Sequence, residues 1–362
     1  MICVRCHNDS KKKERVNRRC PSCHGEFAFE AGEPFTDRAF QSAIDAVSAE
    51  GRIKWGVEHL HYELCRRLRR KAGKTPLGCA VAATAAFVLL AVMASTGAGA
   101  AGIVALLAGV VAFLAWRWWL KKTFPLPKDK FEPIWNRWVS AHGPPPSRIV
   151  RREGPARPRA AESDLADYSF DRAVICDRAR TVDLLLANNF HFENNCAVLS
   201  VSGYPPGPFE TVRAMLRRNP KLEVFALHDA TPEGCRLAHR LAHDPAWFQG
   251  HGPVTDVGLR PAHRGPFRGL FVPTDGARVV PGDGISAAEA AWLSAYALEL
   301  AAIRPEQVLK RLFRAINRKE EDVGGGTTAA GDGGSGGDGV WHDESSFSSD
   351  ASDSDGGADS FG

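Results

Sequence analysis

From Thr75 to Trp116 the chain carries no charged residue across 42 consecutive positions. A helix needs about 20 apolar residues to cross a bilayer core. Leu77–Ser95 and Ala100–Leu120 each meet that length, with Thr96, Gly97, Ala98 and Gly99 between them as a turn. The alternative is a buried helical hairpin in a soluble core, but such cores seldom supply an uncharged run this long. Residues 75–120 therefore read as a transmembrane helical hairpin. Small residues (Ala98, Gly102, Ala105, Gly109) recur along it and allow close helix packing. Trp116, Trp118 and Trp119 fit an interfacial belt. No charge lies within the run, so it reads as an anchor rather than a transport or proton-relay path.

Orientation follows from the flanks. Arg66, Arg67, Arg69, Arg70, Lys71 and Lys74 precede the run, and Arg117, Lys121 and Lys122 follow it. Basic residues on both sides place both ends, and hence both termini, on the cytoplasmic face of a cell (inner) membrane as a multi-pass protein. Anionic lipid is the expected partner of these flanks. No apolar signal-peptide core follows the first methionine.

Ahead of the hairpin, Cys3-x2-Cys6 and Cys20-x2-Cys23 offer four thiolates. Two such knuckles are the spacing of a closed tetrahedral zinc site, so residues 1–32 are expected to form a zinc ribbon with Zn as cofactor. Each pair is also followed by a histidine, His7 or His24, which makes the haem-attachment pattern CxxCH. Haem attachment requires export, which the hairpin orientation opposes. The other five cysteines (Cys65, Cys79, Cys176, Cys196, Cys235) show no framework spacing. That argues against a disulfide scaffold and for a reducing compartment. The loop between the knuckles holds Lys11, Lys12, Lys13, Arg15, Arg18 and Arg19, which suits phosphate contact or a solvated face near anionic lipid.

Residues 33–74 read as a helical module: Phe40, Ala43, Ile44 and Val47 follow Thr36 as N-cap, and Val57, Leu60, His61, Leu64 and Leu68 form a second stripe. His59 and His61 read as core residues rather than ligands. Residues 121–163 hold a juxtamembrane helix (Phe131, Ile134, Trp135, Trp138, Val139), expected either on the soluble domain or in the membrane interface, and then a Pro- and Arg-rich linker.

Residues 164–323 alternate strand and helix. Ala173–Cys176, Ala197–Val201 and Leu222–Leu227 read as buried strands, with helices between and after them, which predicts a parallel α/β sheet. Ligands in such sheets bind at the carboxyl ends of the strands, where Asp177, His228 and Asp229 fall. Two helices close the domain: Ser286 and Glu289 make a capping box for one, and Pro305 opens the other.

The strand–helix order, together with Leu227-His228-Asp229-Ala230-Thr231-Pro232-Glu233-Gly234, resembles the TOPRIM fold of topoisomerases, primases and related nucleases. The resemblance covers about residues 170–260. It implies a Mg²⁺-binding acid cluster used in phosphodiester chemistry. Asp177 takes the place of the first acid, where the family has Glu. Asp229 takes the first position of the family's Asp-x-Asp, and Thr231 stands where the second Asp is expected. Glu233, on the helix that follows, is the one residue placed to compensate. Mg²⁺ favours carboxylate oxygens, so the loss of one weakens the implied site. Read without the resemblance, Asp177 and Asp229 are caps for the helices that follow them. No nucleophile elbow, phosphate-cradling glycine loop or HExxH occurs.

The last segment, 324–362, holds eight acids and no Lys or Arg, so a chain of net charge +4 has a body of +12. This Gly-, Ser- and Asp-rich tail is expected to be disordered. A basic body suits anionic partners. The expectation for function is a membrane-anchored, non-enzymatic adaptor or regulator that binds a protein or nucleic-acid partner at the cytoplasmic face. The alternative is a Mg²⁺-dependent phosphodiester-cleaving enzyme using Asp177 and Asp229.

Overall fold

The computed structural model describes residues 1–30, 32–74, 124–150, 170–205, 208–219, 222–247 and 254–324. The hairpin at 75–120, the linker beyond residue 150 and the acidic tail lie outside them. Among the described residues no helix is long and apolar enough to cross a membrane.

Four strands form one parallel sheet: β1 (Arg172–Cys176), β2 (Cys196–Ser200), β3 (Glu223–Leu227) and β4 (Val254–Asp256), in the order β2-β1-β3-β4. Strand side chains alternate between faces, and here both faces are buried. Val174, Cys176, Val198, Phe225 and Leu227 enter one apolar cluster. Ala173, Ile175, Ala197, Leu199, Val224 and Ala226 enter another. A parallel sheet of this kind needs a cover on each side.

Among the described residues ten α-helices accompany the sheet: α1 (Asp37–Val47), α2 (Val57–Lys74), α3 (Lys128–His142), α4 (Ala179–Ala187), α5 (Phe190–Glu193), α6 (Pro208–Arg218), α7 (Pro232–Cys235), α8 (Leu237–His243), α9 (Ala287–Leu293) and α10 (Pro305–Gly324). The second face is covered by Phe209, Val212 and Leu216 of α6, Leu237 and Leu241 of α8, and Trp247. On the first face, α4 and α10 are joined by the N-terminal helices: Phe40, Leu60, Leu64, Phe131, Trp135 and Trp138 share one core with Val174, Phe225 and Leu312. The aromatic stripe of α3 is thus buried in protein, with Trp138 stacked on Phe40 at 4.6 Å between centroids. Beyond α3, Trp55 and Ser147 are joined by Trp55 N–H to Ser147 O at 3.1 Å, and Ile149 N–H returns to Trp55 O at 2.8 Å. The start of the Pro-rich stretch is therefore bonded into the body.

Local signals account for several boundaries. Thr36 Oγ1 accepts from Ala39 N–H at the start of α1, and Ser286 with Glu289 makes the reciprocal box that opens α9. The stretch 232–243 is not one helix but two, because the chain breaks at Arg236. β4 lies inside the Pro/Gly-rich region after residue 249, where three residues are too few for a period-2 pattern to register.

Arginines just before the uncharged run are partly structural. Glu63 is buried on α2, with Arg66 at 2.6 Å, Arg67 at 3.2 Å and Arg304 at 3.2 Å. Arg66 also donates to Ala302 O, and Arg67 to Ala39 O and Ser42 O. Burial works against the Glu63 charge, but the three guanidinium groups outweigh it and hold its pKa below the ordinary glutamate value. A depressed carboxylate contributes above its unfolded pKa of about 4.3 and ceases to contribute as pH falls through its folded value. Glu63→Gln is expected to cost about 2–3 kcal/mol at pH 7, from the lost charge-assisted bonds, and to lose much of that difference below about pH 4. Urea unfolding at the two pH values measures this, and a variant as stable as the parent at pH 7 overturns it.

On either side of the uncharged run, the described residues end at Lys74 of α2 and resume at Phe124. Phe124 lies 5.6 Å from the His61 ring and 6.0 Å from the Tyr62 ring. His61 Nε2 donates to Leu126 O at 2.6 Å, and burial lowers the His61 pKa, so the ring is neutral. Phe124 and Leu126, just after the run, therefore pack on α2, the helix just before it.

Candidate metal centre and strand-end acid cluster

The two cysteine knuckles are built alike. His7 N–H bonds Cys3 O, and His24 N–H bonds Cys20 O. Cys3 N–H bonds Asn8 O, and Cys20 N–H bonds Gly25 O. Antiparallel bridges at Ile2–Asp9 and Arg19–Glu26 close each one. His7 and His24 take φ of 58° and 57°, the left-handed conformation that the tight turn requires. Both rings are exposed and stand outside the ligand cluster.

That cluster is Cys3, Cys6, Cys20 and Cys23, whose four Sγ atoms lie within 4.8 Å of one another. Cys3 Sγ to Cys23 Sγ is 3.7 Å and Cys6 Sγ to Cys20 Sγ is 3.6 Å. A tetrahedron with metal–sulfur bonds of about 2.3 Å has edges of about 3.8 Å, whereas a disulfide requires about 2.05 Å. All four are free thiols. The Cys23 backbone N–H lowers the Cys20 thiol to about 6, against burial, whereas Cys23, despite the Gly25 N–H, is pushed up to about 11 by the Cys6 thiol beside it; a metal binds the thiolate form. The group can hold a metal ion and fits the zinc expected from the spacing.

The head is fastened to the body by Asp37. Its carboxylate accepts from Ala28 N–H at 2.9 Å, from Phe29 N–H at 2.8 Å and from His142 Nε2 at 2.7 Å. Arg5 adds a bond to Ala141 O at 2.8 Å.

At the strand ends the register sets Asp177 beside His228, because Cys176 pairs with Leu227. Asp177 Oδ2 accepts the Asp229 N–H at 3.0 Å. Its Oδ1 is buried with no partner among the described residues. Burial, then the Asp229 charge, raises the Asp177 pKa to about 6. Asp229 is fully buried. Its Oδ1 accepts Leu300 N–H at 2.6 Å, and its Oδ2 meets Arg180 Nη2 at 3.0 Å and Arg178 Nε at 3.4 Å. Neither aspartate caps a helix: α4 has no side-chain cap, and Thr231 caps α7 by accepting Gly234 N–H at 3.0 Å. The residue in the place of the second family aspartate is thus the cap. A Cβ at Gly234 would lie 2.3 Å from Asp229 O, so glycine is required there. Glu233 is exposed on the first turn of α7.

Sequence reasoning placed His228 at the strand ends but missed its partner, Asp256. His228 is buried, with Nδ1 at 2.8 Å from Asp229 O and Nε2 at 2.9 Å from Asp256 Oδ1. Two acceptors on the two nitrogens make the ring an imidazolium. Burial opposes both charges, but the His228–Asp256 bond outweighs it, raising the histidine pKa and holding Asp256 well below the carboxylate range. Asp256 also accepts Gly258 N–H, and Arg260 joins it to Glu289. A Cβ at Gly258 would meet the His228 ring at 2.3 Å. Asp256 ends the three-residue β4, which is why no pattern marked it. Arg180 also meets Glu299 at 3.7 Å.

Chemically, these groups tie the ends of β1, β3 and β4 to the Leu298–Leu300 segment. Among the described residues, the four cysteines are the one group of three or more His, Cys, Asp or Glu with ligand atoms close enough to hold a metal. Asp177, Asp229 and Glu233 do not converge in this way, so the Mg²⁺ site implied by the resemblance has no geometric support.

The raised Asp177 pKa has a stability consequence. Its contribution is full below the unfolded value of about 3.9 and is lost as pH rises through about 6. Asp177→Asn, which cannot ionise, is expected to gain about 1–2 kcal/mol on the parent chain between pH 5 and 7.5. Denaturant titrations at both pH values check this, and a constant difference refutes it.

No family model, curated protein or solved structure matches the chain.

Proposed function

We propose that the chain is a membrane-anchored, non-enzymatic adaptor or regulator. Its zinc-holding head and TOPRIM-like α/β body face the cytoplasm and present surfaces to a protein or nucleic-acid partner. The observation that carries the non-enzymatic reading is the state of Asp229: both of its carboxylate oxygens are taken up by Leu300 N–H and two arginines. A metal-binding carboxylate needs those lone pairs. The anchor reading rests on the uncharged run at 75–116 and is supported by the packing of Phe124, just after the hairpin segment, on α2, just before it. Zinc is assigned to Cys3, Cys6, Cys20 and Cys23 from four thiolates at tetrahedral edge lengths.

Plasmid nicking by the full chain with Mg²⁺, compared with Asp177→Asn, tests the first point. Metal-dependent cleavage that the substitution abolishes would establish the enzyme instead. The full chain is needed because the sheet and α10 share their core with α1–α3. Pelleting membranes without detergent tests the anchor: recovery of the protein in the supernatant removes it.

A further inference from the structure

The six basic residues between the knuckles do not behave as one set. Arg15 is 8% exposed. Its guanidinium lies 5.0 Å from the Phe27 ring centroid and 3.9 Å from Glu30. It braces the loop from inside. Lys11, Lys12, Lys13, Arg18 and Arg19 are exposed, and among the described residues no carboxylate is recorded in an ion pair with any of them. Between them stands Val16, an apolar side chain that is 74% exposed. Two short 3-10 turns, Lys12–Glu14 and Val16–Arg18, hold the loop in shape.

An apolar tip ringed by unpaired cations, with no aromatic residue between Asn8 and Arg19, matches a lipid headgroup layer better than a nucleic-acid strand. Lipid binding takes apolar insertion plus cationic attraction, whereas single strands are held by aromatic stacking on a basic groove. The head also lies near the point where the chain enters the uncharged run. Lys71 Nζ, one turn before the end of α2, donates to Pro34 O at 3.4 Å, just after the head. An anchored chain holds its head at a high effective concentration over the bilayer, so a weak surface affinity is enough to seat it.

We infer that the loop Lys11–Arg19 is a docking surface for anionic phospholipid, seating the metal-bound head on the membrane with Val16 as its apolar tip. This rests on the anchor reading above. It leaves the α/β body as the surface for a partner and gives the head a positioning task.

The test uses full-length, metal-loaded protein reconstituted in nanodiscs of neutral phosphatidylcholine or of phosphatidylcholine with phosphatidylserine. Labelling by an amine-reactive reagent is read at Lys11, Lys12 and Lys13 by mass spectrometry. Lys54 serves as internal control; it precedes α2, at the opposite end from Lys71. Labelling of the three lysines is expected to slow several-fold in the anionic discs, and high salt should remove the effect. Replacing both Lys12 and Lys13 by Glu should restore fast labelling at Lys11, since each basic residue near an anionic surface is worth on the order of fivefold. Equal rates in the two discs, with Lys54 unchanged, overturn the inference. Protection by an added RNA oligonucleotide in neutral discs, with none from phosphatidylserine, overturns it in favour of a nucleic-acid surface. Failure of the anchor shows separately, as protein that does not enter neutral discs. In that event co-flotation of the soluble chain with anionic vesicles decides the loop's role: flotation lost in the Lys12→Glu, Lys13→Glu variant supports it, and no flotation overturns it.

Discussion

Removing the metal, or replacing Cys20 with Ser, is expected to unfold the head while leaving the α/β body folded. The head's own apolar cluster is Cys3, Cys20 and Phe27 with Met1 and Cys6 against it, and three of these five are proposed metal ligands. The stability of the head is therefore expected to be metal-binding free energy, on the order of 10 kcal/mol for four thiolates. The sheet core shares none of those residues. Hydrogen exchange after chelation should show amides of residues 3–25 losing protection and amides of β1 and β3 keeping it. Asp37 draws the boundary, because it holds Ala28 and Phe29 to α1 and α3 without metal. Elemental analysis should give one zinc per chain, and a chelated protein with unchanged exchange at residues 3–25 would refute the assignment.

Asp229→Ala is expected to destabilise the body by about 3–5 kcal/mol, the usual result of breaking one side of a buried charged network. The change strands the Leu300 N–H and withdraws the carboxylate shared by Arg178 and Arg180. For a body of this size the melting temperature should fall by on the order of 10 °C. Asp229→Asn should lose less, because its side-chain oxygen can still accept from Leu300. A melting temperature for Asp229→Ala within experimental error of the parent would mean that the carboxylate has no structural role, and would reopen it as a ligand. The expected result also shows why Asp229 is a poor probe of catalysis: its loss perturbs folding. Asp177, with one oxygen unpartnered among the described residues, is the cleaner position.

Much of the chain was legible because local rules decide it. The cysteine spacing alone predicted four thiolates around one point, since a knuckle fixes its own turn. Continuous apolar runs marked β1, β2 and β3, and Thr36, Ser286 and Pro305 marked helix starts, because strand burial and capping depend on a few neighbouring residues. The resemblance drew attention to Asp177 and Asp229 but assigned them metal chemistry. The structure gives Asp229 a hydrogen bond to Leu300, 71 residues away.

What only the tertiary structure decided are the pairings that cross the chain. Glu63 and Arg304 stand 241 residues apart in sequence, and no local pattern links them. The aromatic face of α3 was equally compatible with lipid and with protein, since periodicity reports that a face is buried and not what buries it. His228 became an imidazolium only when Asp256 was brought to its Nε2. By itself the sequence determined which segments are apolar, which thiols cluster and where helices begin, because those properties are set within a turn or two of backbone. The fold decided which charges neutralise one another, because that depends on the distances at which separate segments come to rest.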